Sequence, residues 1–254
     1  MSASTPDTRR PSRGLAVLGV GALALATVLL VPTARDTGPV FVPKMVGVTL
    51  PDGRSIHVQE YEVTVAEWNR CHDAGACTLR LHPRGEGQGI DYPATGLNWF
   101  DVNEYLGWID VGSGTFRLPT TAEWNAMARS VLPEKPAPIF TDPALRWASA
   151  YLTMPQPQRR LRPSGSFATT PEGVADLDGS VWEWTSDCYA GAEKGFGADD
   201  CPAFFVGGEH VAAIPVFTRD PARGGCAVGS PPPHLGMRLV SDRPLRGRAR
   251  TFPR

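Results

Sequence analysis

Several common catalytic devices are missing from this chain of 254 residues. It has no glycine-rich phosphate loop, so nothing in it offers the cradle of backbone N–H groups that holds a nucleotide. It has no nucleophile elbow and no Ser-His-Asp pattern, which removes the usual basis for a hydrolase. Long uninterrupted basic runs and basic–aromatic alternation are also absent. The 25 Lys and Arg residues are balanced by 26 Asp and Glu, for a formal net charge of −1. Nucleic acid is therefore not an expected partner.

Hydrophobic runs are equally scarce, with one exception. Arg9, Arg10 and Arg13 precede residues 14–32, about 18 uncharged and mostly apolar positions, just enough to cross a bilayer as a helix. The basic residues lie before the run, so the positive-inside rule predicts a cytoplasmic N-terminus and an extracytoplasmic, periplasmic remainder. The expected organisation is a cytoplasmic N-terminus with a transmembrane signal anchor over residues 1–38, then one domain over 39–254. The rival reading is a cleaved signal peptide and a secreted protein, with residues 32–34 (PTA) as a poor cleavage site. Residues 1–38 carry four Arg and two Asp, so the remainder holds 21 basic and 24 acidic residues, a net charge of −3.

Cysteine is rare, at five residues, and its spacing agrees with export. Cys71 lies close to Cys77, Cys188 and Cys201 flank a glycine-containing stretch, and Cys226 stands apart. In an oxidising compartment the economical pairing is Cys71 with Cys77 and Cys188 with Cys201, leaving one thiol. The alternative for the first pair is a metal site shared with His72 and His82, a spacing that matches no zinc pattern.

Glycine and proline, by contrast, are abundant at 27 and 25 residues, which predicts a folded but loop-rich α+β domain. Three helices announce their starts. Residues 64–68 (TVAEW) and 120–124 (TTAEW) each place Thr three positions before Glu, the pattern of a capping box. A third helix opens at Asn98 and is expected to bury Trp99, Val102, Leu106 and Ile109. Trp124, Met127 and Ala128 share one helical face and should enter the core. Strand candidates are residues 48–58, as a hairpin around Pro51-Asp-Gly53, then 181–185, 204–206 and 237–240. Residues 132–143 and 154–163 are too rich in proline for regular structure.

The segment 176–187 (DLDGSVWEWTSD) is the most unusual in the chain, with four carboxylates threaded around Trp182 and Trp184. Taken with EVTVAEW (62–68), RLPTTAEW (117–124), RGG (223–225) and GMRLV (236–240), it resembles the successive signatures of the formylglycine-generating enzyme or sulfatase-modifying-factor domain. The resemblance runs from about Met45 to Asp242. It implies an irregular domain related to the C-type lectin fold. It also implies a calcium ion held by Asp176, Gly179, Val181 and Glu183, a mixture of carboxylates and carbonyls that suits calcium; the alternative is a hydrogen-bonded turn without metal.

The family's oxidases convert a cysteine in a Cys-x-Pro-x-Arg peptide to formylglycine with Cu(I) held by two cysteines between the RGG and GFR signatures. Two thiolates suit that soft ion. Here ten residues separate Gly225 from Gly236 and Cys226 is their single cysteine, so copper is not expected. Cys226, His234 and Met237 together form the remaining candidate copper set, while the plainer reading makes Cys226 an inert buried thiol and Met237 core. The expected function is a membrane-tethered accessory or ligand-binding module for an exported enzyme, with a protein partner. The alternative is a divergent oxidoreductase acting on protein cysteine, with Cys226 as its catalytic residue.

Overall fold

The computed structural model describes residues 42–245, apart from 83–88, 111–114, 133–138, 141–144, 146–147, 150–151, 153–159, 190–199, 211 and 228–230. The chain divides into two units, Met1–Asp36 and Thr37–Arg254, and every described residue lies in the second. The expected anchor at 14–32 and most of the two proline-rich stretches therefore fall outside the described residues. Among the described residues no helix is long and apolar enough to cross a membrane.

The first element among the described residues is the hairpin expected around Asp52-Gly53. Strands β1 (Met45–Thr49) and β2 (Ser55–Gln59) pair antiparallel with Val48 opposite Ile56. Gly53 sits at φ +86°, in the left-handed region that glycine enters without steric penalty. Three helices follow: α1 (Val65–Asp73), α2 (Trp99–Ile109) and α3 (Thr121–Ala128). Each begins with a reciprocal capping box, formed by Thr64 with Glu67, Asn98 with Asp101, and Thr120 with Glu123. These short helices thereby satisfy two otherwise orphaned N–H groups apiece.

Strand β3 (Val181–Tyr189) is longer than the expected 181–185 and forms the axis of a second sheet. It pairs antiparallel with β4 (Ala203–Gly207), which pairs with β5 (Ala212–Pro215), while β6 (His234–Gly236) lies parallel to β3 on its other side. The last short strand, β7 (Val240–Ser241), adds to β2 of the hairpin sheet. The run 237–240 is thus not one strand. Only Val240 lies in a strand, β7, while Met237, Arg238 and Leu239 carry the chain across to it from β6 of the other sheet. Strand β5 was not foreseen, because four residues of AAIP carry neither alternation nor β-branched enrichment.

Two apolar clusters result. One packs α1 and α2 on the four-stranded sheet through Trp68, Tyr105, Trp108, Trp182, Trp184 and Met237. The other packs α3 under the hairpin through Val48, Ile56, Val58, Trp124, Met127 and Leu177. On α2 the buried face includes Val102 and Ile109 as expected, together with Tyr105 and Trp108, whereas Trp99 and Leu106 are only partly covered. Three buried indoles find acceptors for their N–H: Trp68 on the Leu79 carbonyl at 2.7 Å, Trp184 on the Leu97 carbonyl at 2.9 Å, and Trp124 on Glu183 at 2.9 Å. Large aromatic surfaces can be fully buried here because their polar edges are satisfied.

Candidate functional site

Both sheets and α3 converge on Glu183. On β3 its side chain alternates with those of Trp182 and Trp184 and so faces the opposite side of the strand, toward Trp124 and Arg238, and the residue is fully buried. A buried carboxylate requires a compensating charge, which Arg238 supplies from the crossover between the sheets. The guanidinium Nε donates to both carboxylate oxygens at 3.1 Å and Nη2 donates to Oε1 at 2.8 Å. Its remaining donors reach backbone carbonyls of Gln59, Glu60 and Ala175 at 2.8–2.9 Å. Burial works to lower the Arg238 pKa, but Glu183 and Glu62 outweigh it and the group is held above its ordinary value. Glu62 is the third member of the cluster, with Oε2 3.8 Å from Arg238 Nη2 and no hydrogen-bond partner. Burial, reinforced by the charges of Glu183 and Asp176 and opposed by Arg238, pushes the Glu62 carboxyl up to about 8.

Asp176 stands at the start of the same segment with φ +67°, the one non-glycine residue of positive φ among the described residues. That conformation turns its carboxylate onto the neighbouring loop, where it accepts from the N–H of Gly165 and from that of Phe167 at 2.8 Å. Burial raises its pKa, against the lowering effect of those two donors. Asp178 accepts from the Ala168 N–H at 3.0 Å, and Asp187 accepts from the Thr121 N–H at 2.8 Å, at the positive end of α3. Gly179 is required by space, since a Cβ there would meet the Asp176 carbonyl at 2.9 Å and the Phe167 ring at 3.1 Å.

Asp176 and Gly179 lie in a buried turn, and Val181 and Glu183 on the start of β3 that follows it. Both carboxylates are nevertheless committed to donors of the chain itself. As they stand these residues do not fit a calcium ion, which takes six to eight oxygens. Among the described residues no group of three or more His, Cys, Asp or Glu side chains is arranged to hold a metal.

Cysteine geometry is clear. Cys71 is bonded to Cys77 and Cys188 to Cys201, with Cα separations of 5.2 and 5.9 Å, so the metal alternative for the first pair is removed. Cys226 lies outside both disulfides and is half-buried, with its Sγ 3.8 Å from the Ala213 carbonyl of β5. Met237 is core, whereas His234 lies on β6 rather than in a loop. Beside His234 opens a cleft of about 280 Å³ lined by Thr95, Gly96, Arg219, Arg223 and Pro233. Arg219 is fixed there by a two-pronged contact with buried Asp101, at 2.8 and 2.7 Å.

The glycines need one correction. Gly224 and Gly225 lie on a surface turn after a short 3₁₀ segment (Pro221–Arg223), with φ +121° and +98°. The glycine pair that the core demands is instead Gly207–Gly208 at the end of β4. A Cβ on Gly207 would sit 2.2 Å from the Trp124 indole, and one on Gly208 2.2 Å from that of Trp182. Measured from this pair, the stretch that leads to Gly236 spans residues 209–235 and still contains one cysteine, Cys226.

Sequence reasoning missed Arg238, Glu62 and the link from Trp124 to Glu183. A signal was present, because a single arginine inside the apolar run LGMRLV has to find a buried partner.

Several known proteins are similar to this chain. A bovine (Bos taurus) protein named "Inactive C-alpha-formylglycine-generating enzyme 2" is 29% identical over 136 residues, which covers 44% of this chain and 40% of that protein. The formylglycine-generating enzyme of Mycobacterium tuberculosis is 27% identical over 229 residues, covering 73% of this chain and 70% of that one. The chain thus spans less than half of the bovine relative's length. Among solved structures, PvdO from Pseudomonas aeruginosa aligns at 20% identity with a TM-score of 0.47, covering 79% of this chain and 92% of that one. CarF aligns at 18% identity with a TM-score of 0.44, covering 80% and 95%. The family model of the sulfatase-modifying factor enzyme 1-like domain matches residues 46–243, and the chain belongs to that family as a divergent, formylglycine-generating-enzyme-like member.

Proposed function

We propose that this protein is a membrane-tethered, extracytoplasmic domain of the formylglycine-generating type that has no copper oxidase activity and serves an exported enzyme as an accessory or ligand-binding module. The observation that carries the reading is the thiol inventory. Four of the five cysteines are consumed in two disulfides, and the stretch 209–235 offers Cys226 alone. One thiolate does not make the two-coordinate sulfur site that suits Cu(I). The paired disulfides support an oxidising compartment, and the basic residues before the run at 14–32 support the proposed orientation. Resemblance to a relative named as inactive agrees with loss of the oxidase centre.

A second reading keeps an oxidoreductase acting on protein cysteine. Its support is that Cys226 lies outside both disulfides and is half-buried rather than sealed in the core. Anaerobic titration of the full chain with Cu(I), with Cys226→Ser beside it, separates the two. The accessory reading expects no specific copper binding and no turnover of Cys-x-Pro-x-Arg peptides. Tight one-to-one binding that disappears in Cys226→Ser, accompanied by turnover, would overturn it in favour of the second.

A further inference from the structure

We infer that the Arg238 guanidinium acts as the built-in cation where the turn after Asp176 enters β3, so that this domain holds its fold without calcium. The inference sets the structure against what family resemblance implies for Asp176, Gly179, Val181 and Glu183. It rests on the partners of every carboxylate in the segment. Asp176 accepts from Gly165 and Phe167, Asp178 from Ala168, and Asp187 from Thr121. Glu183 is held by Arg238 and by the Trp124 indole.

Arg238 itself is saturated. It is fully buried, and its Nε, Nη1 and Nη2 all donate, to Glu183 and to the carbonyls of Gln59, Glu60 and Ala175. A guanidinium has five N–H donors in a fixed plane and cannot lose its proton. Placed here, it delivers one positive charge together with fixed directional bonds, the two things a bound metal would otherwise provide. A calcium ion entering the turn would have to share the carboxylate lone pairs of Asp176 and Glu183 with these donors, and any weakening of those buried hydrogen bonds is a loss that ion coordination must first offset. Around the turn, buried side-chain oxygens without a hydrogen-bond partner are found on Glu60, Glu62, Ser164 and Ser180, fewer than the six to eight oxygens of a calcium shell.

The test uses the full chain with its natural sequence. Thermal unfolding is followed in excess chelator and in millimolar CaCl2, because a ligand that binds only the folded state must raise the melting temperature. In parallel, Tb³⁺ is titrated as a luminescent stand-in for calcium, with Trp182 and Trp184 as adjacent sensitisers. The expected result is a melting temperature that does not move between chelator and calcium, and no saturable tryptophan-sensitised terbium emission. A calcium-dependent rise in melting temperature, or saturable emission that calcium displaces and Asp176→Asn removes, would overturn the inference.

Discussion

Replacing Gly207 by alanine adds one methyl group at a place where the structure has no room for it. Gly207 stands opposite Glu183 across β3 and β4, and the added Cβ would lie 2.2, 2.4 and 2.5 Å from three atoms of the Trp124 indole. Ordinary carbon–carbon contact lies at about 3.5–4.0 Å, so either the ring or the strand must retreat by more than an ångström. The ring is fully buried, and its N–H is tied to Glu183 at 2.9 Å. Retreat therefore breaks a hydrogen bond to a charged group, costing about 1.5–3 kcal/mol, on top of about 1–3 kcal/mol for overpacking. The expected destabilisation of Gly207→Ala is on the order of 3–6 kcal/mol, comparable with the whole stability of a small domain. Gly107→Ala is the internal control. Gly107 lies on the exposed face of α2, where an added Cβ meets nothing within 4 Å, and the same change should stabilise the protein by about 0.5–1 kcal/mol. Denaturant unfolding monitored by tryptophan fluorescence measures both. A Gly207→Ala variant within about 1 kcal/mol of wild type would refute the reasoning, since no single contact of that closeness is relieved so cheaply.

Other consequences follow from the same contacts. Glu62, pushed up to about 8 by burial and by Glu183 and Asp176 against the opposing effect of Arg238, takes up a proton on folding. Because its folded pKa lies above the ordinary 4.5, stability should fall as pH rises from about 4.5 to about 8 and level off beyond, a change on the order of 3–5 kcal/mol; Glu62→Gln should flatten that slope in urea titrations across the range. The Cys188–Cys201 bond closes a loop with a sequence separation of 13, so its replacement by two serines should cost about 3 kcal/mol, read as a lower denaturation midpoint under non-reducing conditions that keep Cys71–Cys77 intact. Asp187→Asn should cost about 0.5–1 kcal/mol by removing a negative charge from the first N–H of α3, and the loss should shrink in high salt.

Much of this domain is legible in the sequence because its local signals are strong and self-contained. Thr64, Asn98 and Thr120 start helices through bonds that span three residues, so the pattern alone identifies them. Asp52-Gly53 makes its hairpin for the same reason. The two disulfides follow the short spacing of their cysteines. The family, too, could be recognised from the order of short motifs before any coordinate was known.

Tertiary structure alone decided the rest, and the residues concerned share one property: their partners lie far away in the chain. Arg238 meets the backbone of Gln59 across a separation of 179 residues and Glu183 across 55, which no local pattern encodes. Gly207 and Gly208 look less like a signature than Arg223-Gly-Gly225 does, and their necessity appears only when Trp124 and Trp182 pack against them. The acidic string 176–187 is the clearest case. Composition shows four carboxylates beside two tryptophans and suggests a cation among them. The fold turns each carboxylate toward a different donor of the chain, because burying a charge is tolerable only where hydrogen bonds and a counter-charge meet it.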